Sequence, residues 1–200
     1  SKMIILTDEQ GSPEWLASRL GRPSASMFSN LITTSGKPSS SAKKYIAEMV
    51  AERLTGRSKP FYTNDHMERG NFLEPEAREA YEFITDLEVV ETGFILHDSE
   101  EFGCSPDGLV ANDGGLEIKC PSDGVHAGYL IDGKVPTKYY QQVQGCMWVT
   151  GRDWWDFMSY HPEMPHLLVR MERNEEFIEA MATEVNKAVE IIVKESERWL

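Results

Sequence analysis

Residues 105–119, SPDGLVANDGGLEIK, place an Asp after a Pro, then a Gly-rich turn, then Glu and Lys two positions apart. A β-hairpin needs none of those three charges. Two carboxylates held together suit another task. They supply hard oxygen ligands for Mg²⁺ or Mn²⁺ and leave coordination positions for water and phosphate oxygens. An ion so held can acidify a bound water and neutralise charge as a phosphodiester is attacked. A neighbouring lysine can orient that water and offset the developing negative charge. Asp107, Glu117 and Lys119 are therefore candidate catalytic residues, the first two as metal ligands.

Whether the three charges meet depends on strand register. Side chains alternate along a strand, so Glu117 and Lys119 share one face of LEIKC while Leu116 and Ile118 take the other. A two-residue Asp113-Gly114 turn would pair Val110 with Glu117 and leave Asp107 on the opposite face. A three-residue loop, Asn112 to Gly114, would pair Leu109 with Glu117 and Asp107 with Lys119, with Gly114 in the left-handed conformation such a loop requires. The prediction is the odd-length loop, or a bend at Gly108 with the same effect. The triplet alone says little, since composition yields an acid-x-Lys about once or twice in such a chain. A second triplet, Asp132-Gly133-Lys134, has a glycine between its two charges, as a turn would, and reads as structural.

The elements that must position these residues follow from periodicity and punctuation. Ser12-Pro13-Glu14 opens a helix that Gly21 stops. Ser24 is placed to cap a short second helix through Met27, Phe28, Leu31 and Ile32, and TTSGKPSSS (33–41) is a loop. A third helix covers about 42–54 with Gly56 as its stop, and a fourth runs from Asn64 or Asp65 to about Phe83 with a kink expected at Pro75. LEVVET, GFILHD and 109–119 then read as a β-meander. Residues 137–151 form a helix, 153–161 and 166–173 two strands, and 175–200 a long helix burying Phe177, Met181, Val185, Ala188 and Ile192. The whole, residues 1–200, is predicted to be one α+β domain with a central mixed sheet flanked by helices.

Composition narrows the setting. No run approaches the ~20 apolar residues of a membrane span, and SKMIILTDEQ does not resemble a signal peptide. Three widely spaced cysteines, Cys104, Cys120 and Cys146, suit buried thiols in a reducing, cytoplasmic compartment. The net charge of -13 argues against nucleic acid until its distribution is considered. Residues 15–72 carry nine Lys/Arg against four acids, a basic region on an otherwise acidic body.

SPDG, then G-LE-K-CP, then QQVQGCMWVTG resemble the lambda exonuclease family, the YqaJ-type viral recombination nucleases of the PD-(D/E)xK superfamily. RLG…SAS at 19–26 and ERGNFLEPEAR at 68–78 extend the resemblance, in order, from about Trp15 to Tyr160. It implies the PD-(D/E)xK core and a processive 5′-to-3′ exonuclease on double-stranded DNA ends, leaving a 3′ tail for recombination. It implies Mg²⁺ (or Mn²⁺), two ions per site, with Asp107, Glu117 and the Ile118 carbonyl as ligands and Lys119 as the catalytic lysine. It adds Glu74 as a further active-site acid and possible ligand, and Gln144 near the metal, with Gln142 structural. Arg19, Ser26 and Ser105 fall where the family binds a 5′-phosphate, and Ser24 adds a cap or contact. A guanidinium and hydroxyls are chemically suited to that. A homotrimeric ring around DNA and a single-strand annealing recombinase as partner are further implications. Arg22-Pro23 departs from the family pattern beside the phosphate donors. The rival readings are a RecB-like or endonuclease member of the superfamily, or a catalytically silent DNA-binding module; three scattered cysteines do not suit an iron–sulfur exonuclease.

Overall fold

The computed structural model describes residues 3–58 and 65–200. Helix α1 (Pro13–Arg19) begins as its sequence dictates, with the Ser12 hydroxyl accepting the Trp15 amide at 3.2 Å and Gly21 turning the chain at φ +66°. The predicted second helix is instead a 3₁₀ turn over Ala25–Asn30. Ser24 makes no side-chain cap bond there; its hydroxyl pairs with Arg19 and Ser26. Helix α2 (Ala42–Thr55) stops at Gly56 in the left-handed conformation. Helix α3 (Asp65–Thr85) runs through Pro75; the alternative start at Asn64 lies outside the described residues.

Two sheets follow. β1 (Ile4–Ile5), β3 (Ile95–Leu96) and β4 (Gly103–Cys104) form a small antiparallel sheet. β2 (Val89–Val90), β5 (Gly108–Val110), β6 (Gly114–Lys119), β7 (Trp154–Ser159) and β8 (Leu167–Glu172) form the central sheet in that order. Only β6 and β7 run parallel, so the sheet is mixed as predicted. The predicted meander does not form: LEVVET and GFILHD contribute β2 and β3 to different sheets. Helix α4 (Asp123–Asp132) was not anticipated, because Gly124 and Gly128 break any apolar stripe in DGVHAGYLID. Helices α5 (Tyr140–Thr150) and α6 (Glu175–Trp199) match their predicted segments.

The larger core joins α2, α5 and α6, with Tyr45 and Met49 meeting the five predicted apolar positions of α6, all buried. A second core seats α3 on the central sheet through Ala77 and Tyr81, against Val110, Leu116, Ile118 and Met158. Burying a large apolar side chain is worth about 1.5–3 kcal/mol, so α3 is firmly docked. That docking brings Glu74, one turn before Arg78, to the cleft at the end of β6. Close approach also explains two glycines: a Cβ at Gly114 or Gly115 would lie 2.2 or 2.3 Å from the rings of Trp154 and Trp155.

Candidate active site

The hairpin has an odd loop, but not the predicted one. Val110 pairs with Gly114 and Gly108 with Leu116, so the loop is Ala111–Asp113. Ala111, not Gly114, takes the left-handed conformation, at φ +53°. Arg152 makes this possible, donating to the carbonyls of Val110 (3.3 Å), Ala111 (2.9 Å) and Gly114 (3.0 Å). The register is shifted by two residues from the predicted one, and a shift of two preserves the face. Asp107, Glu117 and Lys119 accordingly line one cleft of about 480 Å³, with Glu74, Asn71, Gln10 and Tyr139.

Asp107 is pinned just before the start of β5. Its amide donates to the Leu116 carbonyl at 3.1 Å and its Oδ2 accepts the Ile118 amide at 2.7 Å. Amide and carbonyl of one strand residue point to the same edge, so the Ile118 carbonyl is also directed to the Asp107 side. Glu117 is buried, 4% exposed. Its Oε1 accepts from Lys119 Nζ and from Gln142 Nε2, both at 3.1 Å, while its Oε2 is buried without a hydrogen-bond partner. Burial, then the charges of Glu117 and Glu74, push the Asp107 carboxyl well above its ordinary range. Burial also raises Glu117, although Lys119 opposes it. Burial disfavours the Lys119 ammonium, but Glu117 and then Asp107 outweigh it and hold its pKa above the usual lysine value. The arrangement is carboxylate-rich and short of positive charge.

A buried carboxylate oxygen with no partner is costly, and a cation would satisfy it. Among the described residues no three His, Cys, Asp or Glu side chains gather closely enough to enclose an ion alone. Two carboxylates, a backbone carbonyl and water suffice for magnesium, which keeps several waters. The donor set fits.

Gln144 requires a correction. Its amide donates to the Glu172 carbonyl at 3.0 Å and accepts the Asn174 amide at 2.9 Å, tying α5 to the β8–α6 junction. Gln142, read as structural, is the glutamine that touches Glu117. Arg78 was not singled out from the sequence, although its i,i+4 spacing from Glu74 was legible; its Nη2 lies 2.6 Å from Glu74 Oε1.

Near the small sheet, Arg19 stacks on Trp15 at 4.3 Å and donates to Ser24 Oγ at 3.2 Å, and Ser24 lies 3.1 Å from Ser26. Burial lowers the Arg19 pKa. A parallel bridge between Ser24 and Gly103 draws this segment alongside the one carrying Ser105. Arg19 Nε and Ser105 Oγ are both buried without a partner. The basic region is partly self-neutralised: Arg53 pairs with Glu101 at 2.8 Å and Arg22 donates to two backbone carbonyls. Cys104 and Cys146 are buried, whereas Cys120 is half-buried in the cleft.

The YqaJ-like viral recombinase domain, as a family model, matches residues 14–153. The chain belongs to this family. An alkaline exonuclease from Laribacter hongkongensis, LHK-Exo, is 37% identical, with 94% of this chain and 96% of that one covered and a TM-score of 0.85. LHK-Exo in complex with dAMP is similar at the same identity and coverage, with a TM-score of 0.84. A phage-related exonuclease from Haemophilus somnus 129PT shares the fold at 18% identity, covering 90% of this chain and 96% of that chain, TM-score 0.70. Curated protein sequences give no match. The fold is therefore the α+β exonuclease fold of the lambda type. Among the described residues of this YqaJ-like chain, no helix is long and apolar enough to cross a membrane.

Proposed function

We propose that this chain is a divalent-metal-dependent exonuclease acting 5′ to 3′ on linear double-stranded DNA, leaving a 3′ single-stranded tail for recombination by strand annealing. The observation that carries the reading is the unpartnered, buried Glu117 Oε2 beside Asp107 and Lys119 in one cleft. Asp107, Glu117 and the Ile118 carbonyl would hold Mg²⁺ or Mn²⁺, and Glu74 would serve a second ion. When bound, the metal supplies charge neutralisation for the attacked phosphodiester and an acidified water.

Gln142 orients Glu117 by occupying Oε1 and leaving Oε2 for the ion. Lys119, whose ammonium lies 3.1 Å from Glu117 Oε1 in the cleft, would donate to water or a phosphate oxygen and stabilise charge that grows in the transition state. Arg19, Ser26 and Ser105 would bind the 5′-terminal phosphate, and the unpartnered Arg19 Nε and Ser105 Oγ support that assignment. Processive digestion, a homotrimeric ring, an annealing recombinase as partner and a cytoplasmic site of action belong to the same proposal, on the strength of the resemblance to the lambda exonuclease family.

The test is nucleotide release from a linear duplex with one 5′-phosphate and one 5′-hydroxyl end, in Mg²⁺ and then EDTA, beside Lys119→Ala. Mg²⁺-dependent release from the phosphorylated strand, lost in the variant, is the expected result. Equal release from both ends would discard the phosphate pocket. No release from folded, DNA-binding protein would discard the nuclease.

A further inference from the structure

Arg78 does more than pair along its helix. A Glu–Arg pair four residues apart on a helix surface ordinarily contributes little. Here the Arg78 side chain is only 12% exposed, and its guanidinium meets acceptors from three segments. Nη2 reaches Glu74 Oε1 at 2.6 Å and the Asp107 carbonyl at 3.2 Å, Nε approaches the same carbonyl at 3.4 Å, and Nη1 lies 3.3 Å from Glu91. Two of those acceptors belong to residues of the cleft. Asp107 is thus fixed through its amide, its carboxylate and its carbonyl, the last by Arg78 alone among the described contacts.

Glu74 needs such a partner. It precedes Pro75, which has no amide hydrogen to bond the Asn71 carbonyl one turn back. The helix is therefore missing a rung beside Glu74, where the backbone holds it least. The three carboxylates that approach one another here, Glu74, Asp107 and Glu117, also repel. A planar fork can hold one carboxylate and one carbonyl at once, whereas an ammonium at the end of a flexible stem cannot fix both directions.

We propose that Arg78 is a positioning residue that sets Glu74 and Asp107 relative to each other, so that the cleft is organised for a divalent cation before DNA arrives. This rests on the nuclease reading only for the identity of the reaction. It acts through Glu74 and Asp107 and touches no substrate itself.

The test titrates Mn²⁺ into the full chain by electron paramagnetic resonance, for the wild type, Arg78→Lys, Glu74→Gln and the double variant. Arg78→Lys, which keeps the charge and loses the fork, should weaken Mn²⁺ binding by about tenfold. In digestion of 5′-phosphorylated linear duplex it should lower kcat with little change in KM. In the Glu74→Gln background the substitution should weaken Mn²⁺ binding distinctly less than in the wild type, because the two residues act together. Mn²⁺ affinity and kcat within about twofold of wild type would mark an ordinary ion pair and overturn the proposal, as would fully additive losses. Should Arg78→Lys fail to fold, Glu74→Asp withdraws the carboxylate from Arg78, and unaltered Mn²⁺ binding there would overturn it equally. Wild-type protein that binds Mn²⁺ but releases no nucleotide removes the nuclease reading and leaves the Arg78 comparison intact; wild type that binds no Mn²⁺ removes both.

Discussion

At the scale of single residues, the cleft trades stability for binding. Asp107 is held above its ordinary pKa by burial and by two neighbouring carboxylates. A carboxyl raised in the fold is protonated more readily there than in the unfolded chain, so ionising it costs folding free energy as pH rises through that interval. Asp107→Asn keeps an oxygen for the Ile118 amide and removes the charge. In metal-free protein it should raise Tm by about 2–4 °C, read by differential scanning fluorimetry, while abolishing Mg²⁺-dependent nucleotide release. The glutamines separate two kinds of importance. Gln142→Ala should lower kcat by about tenfold or more with Tm nearly unchanged, since it loses one contact to Glu117. Gln144→Ala should do the reverse, costing about 1–3 kcal/mol in urea unfolding because it strands the Glu172 carbonyl and the Asn174 amide. The sequence could not tell these two apart. They lie two apart on α5, most of which is buried, so no polar face marks which side looks at Glu117.

Elements were more legible where one physical signal dominated. The apolar spacing of α6 named its buried face residue by residue, and Gly56 ended α2 as a left-handed cap must. The Asp–Glu–Lys face was legible because strand periodicity is two, and a register error of two leaves the face unchanged. What failed depended on distant partners. Nothing local to VVET or FILH says that they enter different sheets, and the Ala111 turn is made tolerable by Arg152, about forty residues downstream. That dependence is open to test. Arg152→Ala should release three hairpin carbonyls, speed amide exchange in residues 111–116 as followed by mass spectrometry, and reduce kcat by loosening Asp107 against Glu117. Unchanged exchange in that segment would mean the turn holds itself.

For the whole molecule, a net charge of -13 repels duplex DNA except where cations gather. Arg53 and Arg22 are already engaged with protein acceptors, and Arg19 is stacked on Trp15 and half-buried. Exposed cations of the same region, Lys37, Lys43, Lys44 and Arg57, are left to meet phosphates. If these four carry the contact, the logarithm of DNA affinity against the logarithm of salt should fall with a slope of about −4, measured by fluorescence anisotropy in EDTA; a much steeper line would require a longer basic track. The two cores carry a consequence for how the chain is made. The core under the cleft draws its last member, Met158, from β7, whereas the larger one joins α2 to α6 and is incomplete until Ile192 has been added. During synthesis the apolar side of α2, Tyr45 and Met49, waits uncovered while more than a hundred further residues leave the ribosome. The cleft of this protein can be assembled while its other half is still a substrate for chaperones.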